Sequence, residues 1–376
     1  MNVLILGSGA REHAFAYQLA TSSLLKTLYI APGNAGTAQI GTNISLSLTD
    51  FKAVKKALIT HQIDIVLVGP EVPLVAGIHD FIASDPELKH LLVIGPKKEG
   101  AQLEGSKAFA KEFMIRHQIP TAKYRSFTGD SLQEAFVFLE HLKPPYVLKA
   151  DGLAAGKGVL ILEDIDKAKD ELTQMLTQEK FGLAGHTVVI EEYLDGIEMS
   201  CFALVDGADY VVLPNAKDYK RIGEGDTGLN TGGMGAISPV PFADATLLQK
   251  IEQQIIKPTI QGLQEEGIAY QGFLFFGLMI VRNEPFVIEY NVRMGDPETE
   301  VVLPRLETDL LTLFKAIKEH NLAEQFVKVT PLSAATVMAV SGGYPEQYEK
   351  GKVITGLANS KNSDVFHAGT QHNNDV

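Results

Sequence analysis

Cysteine is nearly absent: Cys201 is the one thiol in 376 residues, so neither an internal disulfide nor a cysteine metal cage can form, and a reducing cytosol suits the chain. Cys201 lies in the apolar run Cys201 to Val205 and reads as a small buried hydrophobe rather than a nucleophile. Long apolar stretches are also missing. The opening Met1 to Gly9 holds one short apolar run before glycine, and Gly272 to Val281 is about half a membrane span, so neither secretion nor membrane insertion is expected. Positive charge is in deficit, with 33 Lys and Arg against 46 Asp and Glu and a net charge of -13. That balance argues against nonspecific binding to nucleic acid or anionic membrane, so any phosphate must be held locally.

Nucleophile signatures are missing too. There is no Gly-x-Ser-x-Gly elbow and no His-Glu-x-x-His, and the histidines are scattered singly apart from His13 beside Glu12. A reaction whose substrates supply the nucleophiles, while the protein positions charge and metal, accounts for this absence.

The chain does have ample apolar material, 45% of its residues, enough for about two to four domains at this length. Asn2 to Leu6 reads as a buried strand, Gly7-Ser8-Gly9 as a tight turn and Ala10 to Ala20 as a helix, the start of an open parallel α/β sheet. Strands at Leu28 to Ile30, Ile63 to Val68 and Leu91 to Ile94 each run into a glycine or proline loop. Ligands of such sheets sit outside the carboxyl ends of the strands, so these three loops and Gly7 to Arg11 are expected to converge on one site. Next, a helix from Ser106 toward His117 precedes a small α+β unit with strands at Tyr146 to Lys149, Val159 to Leu162 and Val188 to Glu191 and a helix near Asp166 to Leu176. Between later strands, the polar, glycine-rich stretch Lys217 to Gly235 reads as a long loop. A strand is expected at Ala334 to Ser341.

Three segments carry candidate chemistry. Gly7 to Glu12 lacks the third glycine of a dinucleotide fingerprint, yet a glycine turn at a helix N-terminus offers N-H groups to an anion, with Arg11 as a fork; a plain strand-to-helix turn is the other reading. Lys149 to Val159 sets one lysine at a strand end and Lys157 in a small-residue loop followed by a strand. That departs from the P-loop pattern, in which a helix follows, but suits closure over polyphosphate. In Phe286 to Asn291 the strand period puts Val287, Glu289 and Asn291 on one face, with the two polar side chains roughly 7 Å apart. Two oxygen donors so spaced suit a hard cation that also binds nucleotide phosphates.

On these residues the chain resembles the phosphoribosylamine-glycine ligase family of the ATP-grasp superfamily. The resemblance runs nearly end to end, through Gly7 to Ala14, Pro32 to Thr37, Gly69 to Leu74, Gly105 to Lys111, Lys149 to Val159, Ile190 to Gly196, Asp226 to Gly235 and Glu289 to Glu300. It implies a Rossmann-like domain over residues 1–101, an ATP-grasp domain over 102–325 with a lid at about 120–190, and a partial β-rich domain over 326–376. It implies that ATP, glycine and 5-phosphoribosylamine give glycinamide ribonucleotide, ADP and phosphate through glycyl phosphate, in purine synthesis in the cytoplasm, with a monomeric enzyme as the expectation.

By position, the resemblance assigns Glu289 and Asn291 to Mg²⁺ or Mn²⁺, and Lys107 and Lys149 to the ATP phosphates under a loop that includes Asp151, Gly152, Gly156, Lys157 and Gly158. Glu191, Glu192, Tyr193 and Leu194 would meet adenine, Glu198 the ribose, and Asp218 and Arg293 the glycine ammonium and carboxylate. Gly9, Arg11, Asn34 and Gly36 would hold the phosphate of the acceptor, with Gly233 and Asp296 on the same side. The chain departs from the family at Ala10, at Lys217-Asp218-Tyr219-Lys220-Arg221 and at Leu229, on the acceptor side more than the ATP side. Ile268 to Val281 holds no acid, which leaves Glu289 as the expected carboxylate ligand. Two other readings stand beside the ligase: a nicotinamide-dependent oxidoreductase, disfavoured by Glu12, and an ATP-binding protein without turnover. Because resembling enzymes continue past the equivalent of Val376, residues after about Gly356 are expected to be rearranged, mobile or covered by another subunit.

Overall fold

The computed structural model describes residues 1–153, 158–177 and 186–372. Strands β1 (Asn2–Gly7), β2 (Thr27–Pro32), β3 (Thr42–Asn43), β4 (Ile65–Val68) and β5 (Leu92–Ile94) form a parallel sheet in the order β3-β2-β1-β4-β5. Val3, Leu4, Ile5 and Leu6 of the central strand are all fully buried, as a strand covered on both faces requires. The helix Ala10–Ala20 starts where β1 ends. The turns after β1, β2 and β4 meet at the edge of the sheet, where Gly33 N donates to Gly7 O and Gly69 N to Leu6 O. The fourth expected loop does not join them. The loop after β5 docks on the chain's later half, with Gly95 N donating to Gln271 O, because β5 is the outermost strand.

The strands β6 (Tyr124–Thr128), β7 (Tyr146–Ala150), β8 (Val159–Leu162) and β9 (Thr187–Glu192) form a separate antiparallel sheet in the order β6-β9-β7-β8. The helices Leu132–Glu140 and Ile165–Thr177 pack on it around Phe127, Leu139, Leu148, Leu172, Met175 and Ile190. This unit has its own apolar core, separate from those of the other two sheets.

The third sheet holds β10 (Ile197–Asp206), β11 (Asp209–Gly223), β12 (Thr227–Ser238), β13 (Gln271–Val281), β14 (Glu284–Asn291) and β15 (Ala334–Val337), in the order β14-β13-β10-β11-β12-β15. Its two faces contribute to different cores. Met199, Cys201, Phe276 and Leu278 join Leu4 and Leu6 of the first sheet, whereas Phe202, Phe273 and Phe275 join Val3, Ile5 and the helix Leu310–Lys318.

Here the reading of Lys217 to Gly235 as a loop is corrected: most of the stretch belongs to the hairpin β11–β12, paired from Lys217↔Ile237 to Gly223↔Thr227. The glycines are compatible with this because backbone pairing needs no side chain, and the hairpin reverses where Gly225 and Asp226 take positive φ. The strand expected at Ala334 to Ser341 forms over Ala334–Val337 and pairs with β12. Beyond it, among the described residues, the chain runs without further strands. Phe366 stacks edge-on to His13 and Tyr17, His367 N donates to His13 Nδ1 at 2.8 Å, and Asn34 Nδ2 donates to His367 O at 2.7 Å. This end segment therefore straps onto the first domain.

Candidate active site

The strand β14 supplies the expected pair of oxygen donors, but through a device the sequence does not display. Leu278 pairs with Val287 whereas Gly277 pairs with Glu289, so Ile288 is an extra residue, a β-bulge. Glu289 and Asn291 do share a face. Val287 does not share it: the bulge puts Val287 on the opposite face, in the core with Phe276, Leu278 and Tyr290. The expected grouping of all three residues is corrected accordingly. The carbonyls of Val287 and Ile288 accept from Thr121 Oγ1 at 2.7 Å and Lys149 Nζ at 3.1 Å.

Lys149 thus reaches from β7 to β14. Its ammonium also lies 3.0 Å from Glu191 Oε1, and Lys111 Nζ lies 3.0 Å from Glu191 Oε2. Burial raises the Glu191 carboxyl, but Lys149 and Lys111 outweigh it and hold the group below the usual range. Burial brings Lys111 down to about 8, against the pull of Glu191. Glu191 is therefore a buried ion-pair partner inside the ladder between Tyr124 and Val147. Glu192 accepts from Lys123 N, and Tyr193 and Leu194 follow in the connection to β10.

Lys107 opens the helix Lys107–Arg116 and donates to Gly152 O at 3.0 Å. Burial lowers its pKa, with Glu289 opposing. Asp151 faces that helix terminus, accepting from Ser106 Oγ and from Ala108 N at 3.1 Å, as a capping carboxylate does. Gly158 O closes the loop by accepting from Ala150 N. Gly156 and Lys157 lie outside the described residues.

Across this space stand Glu198, Asp218 and Lys220. Lys220 Nζ donates to Glu198 Oε2 at 2.9 Å and lies 3.7 Å from Asp218 Oδ2. Burial raises Asp218, with Lys220 opposing. Glu289 contributes to the field at Lys107, Asp218 and Lys220, which places all four around one volume. Lys220 is a member of the site that reading the sequence missed. Asp218 and Lys220 alternate along β11, a signal hidden while the stretch read as a loop. Glu298 was missed as well; it accepts from Ser200 Oγ at 3.0 Å, and burial together with Asp218 raises it to about 7.

Residues 291–297 lead from this volume to a second cluster. Arg293 Nη2 donates to Glu104 Oε1 at 2.6 Å and its Nε lies 3.6 Å from Glu71 Oε2. Burial raises Glu104 while Arg293 works against it. Asp296 faces Arg11, which donates to Glu12 Oε1 at 2.8 Å and to Met294 O at 3.1 Å. Gly233 packs against Pro297 so closely that a side chain would overlap the ring. Gly9, Arg11, Asn34 and Gly36 are brought together as expected, but their donors are engaged within the chain. Gly9 N donates to Glu12 Oε2 at 2.6 Å, Gly36 N donates to Asn34 Oδ1 at 2.8 Å, and Asn34 Nδ2 donates to Ser8 O at 3.0 Å. Glu12 is thus the chain's own anion at this helix N-terminus.

A divalent cation can be tested against the donors present. No group of three or more acidic, histidine or cysteine side chains among the described residues could hold a metal by itself. Glu289 and Asn291 offer two oxygens, and the Asn291 amide, oriented by its neighbours, donates to Glu104 Oε1 at 3.0 Å and Tyr290 O at 3.2 Å. Turned this way, its oxygen points away from Glu104 and makes a two-oxygen set with the Glu289 carboxylate. That set fits Mg²⁺, which binds through few protein ligands and completes its shell with phosphate and water.

Three family models match most of the chain: phosphoribosylglycinamide synthetase N domain over residues 1–104, ATP-grasp (A) domain over 105–299 and C domain over 334–376. A phosphoribosylamine--glycine ligase of Chlorobaculum tepidum is 46% identical over 100% of this chain and 89% of its own length. That of Caldanaerobacter subterraneus is 44% identical over 98% of this chain and 87% of its own. The crystal structure of phosphoribosylamine--glycine ligase from Thermotoga maritima superposes with a TM-score of 0.84 at 36% identity, covering 100% of this chain and 88% of that one. With the two clusters and the three sheets that carry them, these matches show that the chain belongs to the phosphoribosylglycinamide synthetase family.

Proposed function

We propose that the chain joins glycine to 5-phosphoribosylamine at the expense of ATP, in purine synthesis. The glycine carboxylate attacks the γ-phosphorus and releases ADP, and the amine of phosphoribosylamine then attacks the carbonyl carbon of glycyl phosphate and expels phosphate. One observation carries this reading: residues 289–297 connect a volume lined by Lys107, Lys149, Asp218, Lys220 and Glu289 to a second one at Arg11 and Asp296. An acyl phosphate made at the first would then be attacked by an amine held at the second.

In this reading Lys107 and Lys149 take the ATP phosphates, with Asp151, Gly152, Gly156, Lys157 and Gly158 as the closing loop. Glu191, Glu192, Tyr193 and Leu194 border adenine, and Glu198 the ribose. Asp218 receives the glycine ammonium and Arg293 its carboxylate, while Gly9, Arg11, Asn34, Gly36, Gly233 and Asp296 form the acceptor side. Glu289 and Asn291 would hold Mg²⁺ or Mn²⁺, which when bound offsets charge on the transferring phosphoryl group. We place the enzyme in the cytoplasm as a monomer acting on small molecules.

The test is ADP release with each substrate omitted in turn. Turnover that needs ATP, glycine and phosphoribosylamine together is expected, with a loss of at least about a hundredfold in Glu289→Ala and Asn291→Ala. ATP binding without turnover in the complete mixture would overturn the assignment.

A further inference from the structure

Glu104 sits on the short helix Gln102–Gly105, is buried, and has no part in the roles above. Its Oε2 accepts from Val292 N at 2.8 Å and its Oε1 from Arg293 Nη2 at 2.6 Å; with the Asn291 amide turned so that its nitrogen rather than its oxygen faces this acceptor, Oε1 also accepts from that nitrogen at 3.0 Å. One carboxylate therefore grips three consecutive residues at the point where β14 hands over to the acceptor-side segment.

The chemistry of the partners makes this grip directional. An amide side chain has a donating end and an accepting end of nearly equal shape, and an ionised carboxylate can only accept. Facing Glu104, Asn291 must present nitrogen, and its oxygen is turned to the other side. We propose that Glu104 is a positioning residue that fixes the Asn291 amide with its oxygen toward the metal–nucleotide and, through the same oxygen atom, holds Arg293 beside it. The inference rests on the metal reading given above. Groups behind a metal ligand commonly change metal affinity by about 10- to 100-fold when altered.

The experiment measures Mn²⁺ binding to the protein–ADP complex by electron paramagnetic resonance, together with ADP affinity in the presence of a chelator. Glu104→Gln keeps the shape but adds a donor, so the Asn291 amide loses its enforced orientation. Mn²⁺ affinity is expected to fall about tenfold or more, with metal-free ADP affinity changed less than about twofold. Adding Asn291→Asp to Glu104→Gln supplies a ligand with two equivalent oxygens, whose orientation no longer matters, and is expected to restore most Mn²⁺ affinity. General damage to the fold would not be rescued in this way, so an unrescued loss would overturn the proposal. So would unchanged Mn²⁺ affinity in Glu104→Gln when Glu289→Ala and Asn291→Ala both weaken it. If neither of those two variants weakens Mn²⁺ binding, the metal reading itself falls, and the role of Glu104 falls with it.

Discussion

The Lys149 ammonium and the Glu191 carboxylate face each other at 3.0 Å, and both are nearly sealed from solvent, with side-chain exposures of 10% and 3%. With Lys111 on the second oxygen, one buried acid is shared by two cations. Two cations on one acid leave one positive charge in excess, which an anionic phosphate can take up; removing Lys149 takes away that excess and leaves the balanced Lys111–Glu191 pair.

Lys149→Ala is expected to weaken ATP binding by roughly a hundredfold while glycine binding changes by less than about threefold. Calorimetric titration with each ligand decides the matter. An unchanged ATP affinity would remove Lys149 from the phosphate site.

His13 links acidity to the strap. Burial, then the neighbouring His367, lower its pKa to about 4, and its neutral Nδ1 accepts from His367 N. The group's folded pKa is depressed, so the unfolded chain binds the extra proton between pH 6.5 and about 4. Stability from this source is present above the upper value and is lost as pH falls through that window, by at most about 3 kcal/mol. Denaturation midpoints across this range should fall less steeply for His13→Gln than for the parent. Equal slopes would show that His13 does not govern the acid response.

Both oxygens of Glu300 are buried without a hydrogen-bond partner, and burial, with Asp296 adding to it, raises the carboxyl well above its ordinary value. The sign is opposite to that of His13. A raised acid favours the fold below the unfolded pKa, and that advantage is lost as pH rises through the folded one. Glu300→Gln should therefore stabilise the protein more at about pH 8 than at about pH 5, by roughly 1–3 kcal/mol at the higher value. Urea midpoints measured at the two values test this, and a larger gain on the acid side would contradict it.

Gly233 has φ +137°, a backbone state that side chains avoid, and it has no room toward Pro297. Gly233→Ala is expected to cost about 1–3 kcal/mol of stability. Because the strain falls where the hairpin meets the acceptor-side segment, turnover should fall more than ATP affinity. A variant with parental melting temperature and parental kcat would show that this approach is slack.

Much of the architecture was legible because it is written in local periodicity. Buried apolar runs ending in glycine turns located β1, β2 and β4, and the helix Ala10–Ala20 was bounded as observed. The site was legible where its residues lie close in sequence, as Glu289 and Asn291 do. It was not legible where the third dimension decides. Glu104 contacts Arg293 across 189 positions, on a helix of four residues that carries no period to read. The bulge at Ile288 left no mark because an extra apolar residue in an apolar strand changes the pairing and not the composition. Asp151 is readable as part of the glycine-rich segment, but the contact of its carboxylate with Ala108 N at the start of the helix Lys107–Arg116, 43 positions away, is not.

That bulge makes the length of β14 and its composition answer to different demands. If Ile288 were absorbed into a regular ladder, Glu289 would follow Val287 into the core. Excising Ile288 altogether would leave every flanking side chain on its present face and remove only the carbonyl that receives Lys149. A one-residue deletion, ordinarily the harshest edit a strand can suffer, is here the edit that would remove one tie between the sheet β6-β9-β7-β8 and the oxygen donors, the Lys149 contact, while leaving the Thr121 contact to Val287 and both donors in place.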